Sequence, residues 1–191
     1  MLERFFGFTD RRTLNFLEER GRYRENVGYG LILGDGLGGE VVVVHRGVIG
    51  VGVVFSTAGE RLVADDVRGK RQVPLVNIYG SDEVVLDLFI SGNVNFFTEV
   101  LSLSADVTII PKEAFSFALR MDGALLDWFF RQVSKIVSTY GLLFNLRFLP
   151  ARQRITAVKS LFPSIPKKHL ARLLGLTRET VSRQLNRKYN K

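Results

Sequence analysis

Three rows of apolar residues between positions 126 and 144 constrain this chain more than any other feature. Leu126, Val133 and Tyr140 stand seven apart, as do Phe129, Ile136 and Leu143, and Phe130, Val137 and Phe144. Rows at that spacing lie side by side on an α-helix and merge into one wide apolar stripe over roughly five turns. Asp122 is a suitable N-cap for such a helix, and Gly141, which costs about 1 kcal/mol relative to Ala, is a place where it can bend. A stripe this wide needs cover on more than one side. These nine residues are therefore read as a two-helix dimer seam, with a long helix packed only on its own domain as the competing reading.

The texture before this helix is different. Residues 1 to about 110 carry short β-branched runs, such as Val41 to Val44 and Val51 to Phe55, separated by Gly, Asp and Asn. Such runs read as many short strands in a sandwich or barrel. After the helix, Pro150 suits the start of another helix from Ala151 to about Leu161, and Pro163-Ser164-Ile165-Pro166 stops it. A final helix pair follows, broken at Gly175-Leu176-Thr177.

Charge singles out that last segment. From Pro150 to Lys191 there are 11 Lys and Arg against one acid, Glu179, leaving 16 basic and 18 acidic groups on the rest of the chain. The basic residues are interleaved with Leu, Ile and Val at helical spacing, which marks a folded basic module aimed at a polyanion. The chain has no cysteine, so disulfides and thiolate metal sites are excluded. It shows no long apolar run and no signal-peptide pattern, so no membrane partner and a cytoplasmic location are expected.

Within Lys167 to Leu185 the residue types suit two crossed helices. Ala171 permits close approach, Gly175 supplies a permissive turn, and Leu170, Leu174, Val181 and Leu185 form a shared core. Thr177 can cap the second helix. With Val181 and Leu185 pointing in, Arg178, Glu179, Ser182 and Arg183 point out near its N-terminal half, where a recognition helix meets base edges. Arg183 can donate a bidentate pair to guanine, and Glu179 can accept from cytosine. Lys167, Lys168, Thr177, Arg187 and Lys188 are expected at phosphates.

The run Arg178-Glu179-Thr180-Val181-Ser182-Arg183 resembles the recognition motif of the Crp/Fnr family of bacterial regulators. Gly34-Asp35, the Val run and Gly47 resemble the family's first β-roll hairpin, and Val107 to Phe115 resembles the strand and short helix that close the roll. The resemblance implies an α+β chain with a double-stranded β-helix (jelly-roll) sensor domain of cyclic-nucleotide-binding type over 1–120. A dimerisation helix and hinge would follow over 121–149, and a helix-turn-helix over 150–191, its β-hairpin wing missing or reduced. It implies double-stranded DNA and a second copy of the chain as partners, with RNA polymerase added for an activator and a small-molecule effector possible.

The departures from the family are informative. Aligning Gly80, Gly92 and Val107 on the family pattern puts Val84-Val85 and Asn95-Phe96 where nucleotide-binding members place Gly-Glu and Arg-Ser or Arg-Thr. These four residues are taken as the effector pocket. They offer no cation for a phosphate, so cyclic AMP is disfavoured. A haem sensor would use a histidine, for which His45 is the candidate, but a surface hairpin-turn histidine is the preferred reading. No cofactor or metal site is expected. Gly34 to Gly39 matches G-x-G-x-x-G, yet Glu40 and four valines follow it rather than a helix, so it is read as a turn. Asp65-Asp66 and Asp82-Glu83 read as solvated loops. No nucleophile–base pair is visible and no enzyme is expected. The competing assignment is a small β-barrel metabolite-binding protein or enzyme with a basic helical appendage.

Overall fold

The computed structural model describes residues 1–7, 9–30, 32–33, 39–54, 74–87, 95–163 and 165–186. Among them the chain opens with helices α1 (Glu3–Phe6) and α2 (Arg11–Arg20). Eight strands follow: β1 (Arg22–Gly28), β2 (Ile32–Leu33), β3 (Val41–Arg46), β4 (Ile49–Val54), β5 (Leu75–Tyr79), β6 (Glu83–Val85), β7 (Asn95–Val100) and β8 (Ser104–Ile110). The chain then becomes helical: α3 (Lys112–Met121), α4 (Gly123–Leu146), α5 (Ala151–Leu161), α6 (Lys167–Leu174) and α7 (Arg178–Asn186).

The strands make two four-stranded antiparallel sheets, in the orders β1-β8-β3-β6 and β2-β7-β4-β5. The valine run of β3 is buried on both faces, because its alternating side chains serve two cores. Val42 and Val44 face the interior between the sheets with Ile49, Val51, Val85 and Val107. Val41 and Val43 face outward, under a helical cover from α1 to α4 that includes Phe6, Leu17, Phe115 and Trp128. Burying each such aliphatic side chain is worth about 1.5–3 kcal/mol.

The N-terminal helices lie in a region the sequence reads only as strands. Asp10 caps α2 by accepting from the Arg12 N–H, and Leu14 and Leu17 put one apolar face on the roll. The stretch is too short for its helical period to stand out from the runs beside it.

β4 shows how the second sheet receives its outer layer. In Ile49-Gly50-Val51-Gly52-Val53, the branched residues are buried, and any Cβ at the glycines would collide with neighbours. A Cβ on Gly52 would lie 2.2 Å from the Phe97 ring, and one on Gly50 would lie 2.8 Å from Leu101. The register with β5 shifts between Val51 and Gly52. Leu75 and Ile78 of β5 join Leu101 in a third core with Leu146, Ile155, Val158, Leu170, Leu173 and Val181. The roll and the C-terminal helices thus share buried surface.

Helix α4 starts where the sequence places it. Asp122 is 8% exposed; one carboxylate oxygen accepts from the Ala124 and Leu125 N–H groups and the other from the Asp10 N–H. One side chain therefore starts α4 and ties it to the entrance of α2. Burial pushes this carboxyl upward, but the hydrogen bonds from Asp10, Leu125, Thr13 and Ala124 outweigh it and hold its pKa below the ordinary value.

The nine seam residues do not share one surface. Ile136 (4% exposed) lies in the core under the roll, Phe129 and Tyr140 pack against that core, and Leu143 packs against the C-terminal core. Leu126, Phe130, Val137 and Phe144 stay 36–60% exposed, and Val133 is half-buried. The assignment of Ile136 and Tyr140 to a dimer seam is corrected: neighbouring residues point about 100° apart on a helix, so a stripe this wide has one flank facing its own roll.

Asp122→Ala should destabilise the chain by about 1–2 kcal/mol in chemical denaturation. With the folded pKa lowered, the stability linked to Asp122 is complete above the ordinary carboxylate value and disappears as pH falls through the folded one. The difference between wild type and variant should shrink across that acid window; a constant difference would show that the cap carries no charge-dependent stability.

Candidate nucleic-acid interface

The helix pair is built as its residue types require. Helix α6 ends at Gly175, whose φ of +61° lies in the left-handed region. The Leu176 N–H returns to the Ala171 carbonyl (2.9 Å) and the Gly175 N–H to that of Arg172 (3.4 Å). This is a glycine stop that satisfies the last carbonyls of the helix. Helix α7 begins with Thr177, whose Oγ1 accepts from the Thr180 N–H at 3.1 Å and donates to Thr180 Oγ1 at 3.0 Å. Leu170, Ala171, Leu174 and Val181 are buried between the helices, with Leu185 packed at the edge.

On that support Arg178, Glu179 and Arg183 are exposed and Ser182 is half-buried. Lys167 Nζ lies 3.5 Å from Ser182 Oγ, which brings a cation of α6 onto the same face. Thr177, expected at a phosphate, is exposed and serves here as the cap. Arg187 and Lys188 lie outside the described residues.

Lys168 is not free either. Its ammonium contacts the Tyr29 hydroxyl and stands 5.0 Å from the centre of that ring. One turn on, Arg172 (8% exposed) pairs with Glu99 of β7. Between them His169 is 3% exposed, with its ring centre 6.1 Å from that of Tyr29. Burial, with Arg172 and Lys168 beside it, holds the His169 pKa below its ordinary value, against the opposing pull of Glu99 and a hydrogen bond to the Leu101 backbone. The first helix of the pair therefore rests on the roll through a cation on an aromatic ring, an ion pair and a buried imidazole. Sequence reading missed Tyr29, Glu99 and Arg172, because nothing in the local pattern pairs residues more than 70 positions apart.

In the roll, the proposed pocket residues whose side chains are described, Val84, Val85 and Phe96, do not share one face. Val84 faces the helices and Val85 the roll interior, as successive strand residues must. Phe96 packs with Val85 in that interior, and the Asn95 side chain lies outside the described residues. Nearby is a residue the sequence did not flag. Asp87 is fully buried and accepts from the hydroxyls of Tyr79 on β5 and Tyr140 on α4. Asn77 Nδ2 donates to Tyr79 at 2.9 Å. Burial raises the pKa of Asp87, with the donated hydrogen bonds opposing it, and burial raises both tyrosines further. An acid set between Leu86 and Leu88 was the available signal.

His45 departs from its expected turn. It sits half-buried near the end of β3, with Nε2 2.8 Å from Thr108 Oγ1 and Nδ1 3.4 Å from an Arg4 nitrogen. The ring packs edge-on against Phe5 and Tyr23. The turn Gly34 to Gly38 and Asp65-Asp66 lie outside the described residues. No helix among the described residues is long and apolar enough to cross a membrane.

Gly175→Ala should cost about 1–2 kcal/mol in chemical denaturation, from the left-handed backbone alone, because nothing lies within 4 Å of a Cβ there. An unchanged midpoint would show that the turn does not hold this conformation.

Residues 168–187 match the family of bacterial regulatory proteins described as the crp family. Among curated proteins there is no match. Among solved structures, the c-di-GMP responsive global regulator CLP of Xanthomonas campestris is 18% identical with a TM-score of 0.67, covering 95% of this chain and 92% of its own. FixK2 from Bradyrhizobium japonicum is 13% identical with a TM-score of 0.69, covering 89% and 85%. A protein of Eubacterium rectale described as a transcriptional regulator of the crp/fnr family is 15% identical with a TM-score of 0.67, covering 94% and 83%. At these identities the likeness is one of fold. The chain has a β-roll and helix-turn-helix fold similar to that of Crp/Fnr transcriptional regulators, and the match to the crp family falls on its C-terminal helix pair.

Proposed function

We propose that this chain is a cytoplasmic, homodimeric, sequence-specific DNA-binding transcription regulator. It divides into a sensor roll over 1–120, a dimerisation helix and hinge over 121–149, and a DNA-binding unit over 150–191. The observation that carries the reading is the recognition face: Arg178, Glu179 and Arg183 stand exposed on the first turns of α7, on a helix pair with a glycine stop, a threonine cap and a buried shared core. Guanidinium and carboxylate groups there match the donor and acceptor edges of guanine and cytosine in a major groove. The concentration of net positive charge after Pro150 supplies the sequence-independent part of the affinity. An effector other than cyclic AMP would act on the roll, and RNA polymerase is a partner if the regulator activates.

Dimerisation is assigned to the exposed side of α4. Phe130, Val137 and Phe144 form one row of large apolar side chains, each at least 57% exposed, with Leu126 beside it. Two copies pairing these rows would cover them and set two recognition helices about one DNA turn apart.

Selection of bound sequences from random DNA should return a roughly two-fold symmetric site; recovery of unenriched DNA would sink the assignment. Arg183→Ala should cost about 1–3 kcal/mol on that site and relax preference at one position per half-site. Lys168→Ala should instead weaken binding to all sequences and flatten its salt dependence. The double variant Phe130→Glu, Val137→Glu should sediment as a monomer and lose the symmetric footprint. A dimer of unchanged stability would place the seam elsewhere.

A further inference from the structure

We propose that the open cavity lined by β5, β6, α4 and the end of α5 is a binding site for an uncharged aromatic molecule carrying a hydrogen-bonding group. The cavity holds about 400 Å³, within the usual range of small-molecule sites of about 300–1,000 Å³. Four aromatic side chains line it, Phe5, Tyr79, Trp128 and Phe162, drawn from separate parts of the chain, with aliphatic side chains such as Ile136 and Leu142 between them. Flat apolar faces of this kind favour a flat apolar guest.

The charges at the cavity argue against an ionic ligand. Asp82, Glu83 and Lys135 are its charged lining residues. Glu83 pairs with Lys135 at 3.3 Å, and Asp82 pairs with Arg4 at 3.2 Å. An ion entering the cavity would meet lining charges that already have exposed partners, and would shed part of its own hydration beside apolar side chains. The polar contact on offer is neutral. Gln132, half-buried on α4, lines the cavity, and its amide has no hydrogen-bond partner among the described residues. An amide presents a donor and an acceptor together, so the matching ligand group is one that does the same, such as a lactam or carboxamide.

The site is also placed to be felt elsewhere. Phe5, Tyr79 and Glu83 belong to the roll and its N-terminal cover, Trp128 and Gln132 to α4, and Leu161 and Phe162 to the end of α5 beyond the hinge. A ligand touching all three stabilises the arrangement in which they converge, and it disfavours any other by its differential affinity. This cavity differs from the roll interior, where Val85 and Phe96 pack.

Trp128 is the only tryptophan in the chain, so its emission reports directly on the cavity. The probes are three compounds on one bicyclic frame: neutral quinolin-2(1H)-one, anionic quinoline-2-carboxylate and cationic 1-methylquinolinium, titrated against the full chain without DNA. The lactam should change Trp128 emission saturably, and each charged probe should bind at least tenfold more weakly. Gln132→Leu should weaken the lactam at least tenfold, and Thr139→Phe, which fills the cavity, should abolish the response. A linear, unsaturable response to the lactam, a charged probe that binds as tightly, or wild-type affinity in both variants would overturn the proposal. If a variant fails to fold, the charge series on the unaltered chain still decides. Coupling to DNA rests on the regulator reading and is measured separately, as the change in DNA affinity at saturating lactam. An unchanged affinity overturns the coupling and leaves the site standing, whereas a chain that binds no DNA overturns the regulator reading alone.

Discussion

The carboxyl of Asp87 is the point on which the arrangement of sensor and helix depends. It is fully buried, and an unsatisfied acid in such a place would cost several kcal/mol. Its partners include two tyrosine hydroxyls, one from β5 inside the roll and one from α4 outside it, together with the Asn77 side chain. The hydrogen bond from Tyr140 ties the helix to the roll. That bond goes with one rotation of α4 about its axis. Ile136, one turn earlier, goes into the core, and Val137 and Phe144 turn to the opposite side. A node of neutral donors around one buried carboxyl thus accompanies the division of α4 into residues buried in the chain's own fold and residues left exposed.

The C-terminal end of α4 leads to a second constraint. The DNA-binding helices do not hang free from the hinge; they complete a core with Leu75, Ile78 and Leu101 of the roll. Polar contacts flank this core, with Arg172 on Glu99 and Lys168 on the ring of Tyr29. Lys168 is thereby shared between the sensor and the proposed phosphate contacts. A DNA backbone that takes up its ammonium must compete with an aromatic face worth about 0.5–1 kcal/mol at an exposed site. These contacts with the roll fix the position of α6 relative to β7. In α7, Arg178, Glu179 and Arg183 are exposed.

Much of this was legible before any coordinates. The end of α6 at Gly175, the cap at Thr177 and the limits of α5 follow from residues whose preferences act within a few positions. The start of α4 at Asp122 follows for the same reason. The valine run was legible as a strand, and its burial on both faces is consistent with four consecutive β-branched residues. The site residues divide along the same line. Arg178, Glu179, Ser182 and Arg183 lie on one face because the helical period puts them there. Val84 and Val85 were grouped by alignment, and the alternation of a strand sends them to different cores. Thr177 was legible as a cap and as a phosphate ligand; its single hydroxyl proton goes to Thr180.

The sequence by itself determined the order of strand-rich and helical segments, the helix-turn-helix with its four outward side chains, and the wide apolar stripe of α4. Each of these rests on interactions within about one helical turn or on the period of a single element. The tertiary structure decided which flank of that stripe is buried, that the first helix of the DNA-binding pair rests on β7 and Tyr29, and where aromatic side chains line an open cavity. Those outcomes depend on pairs such as Asp87 with Tyr140 and Glu99 with Arg172, which stand 53 and 73 positions apart. Contacts at that separation leave no period in a sequence, because the folded sheet, and not the chain between them, brings them together.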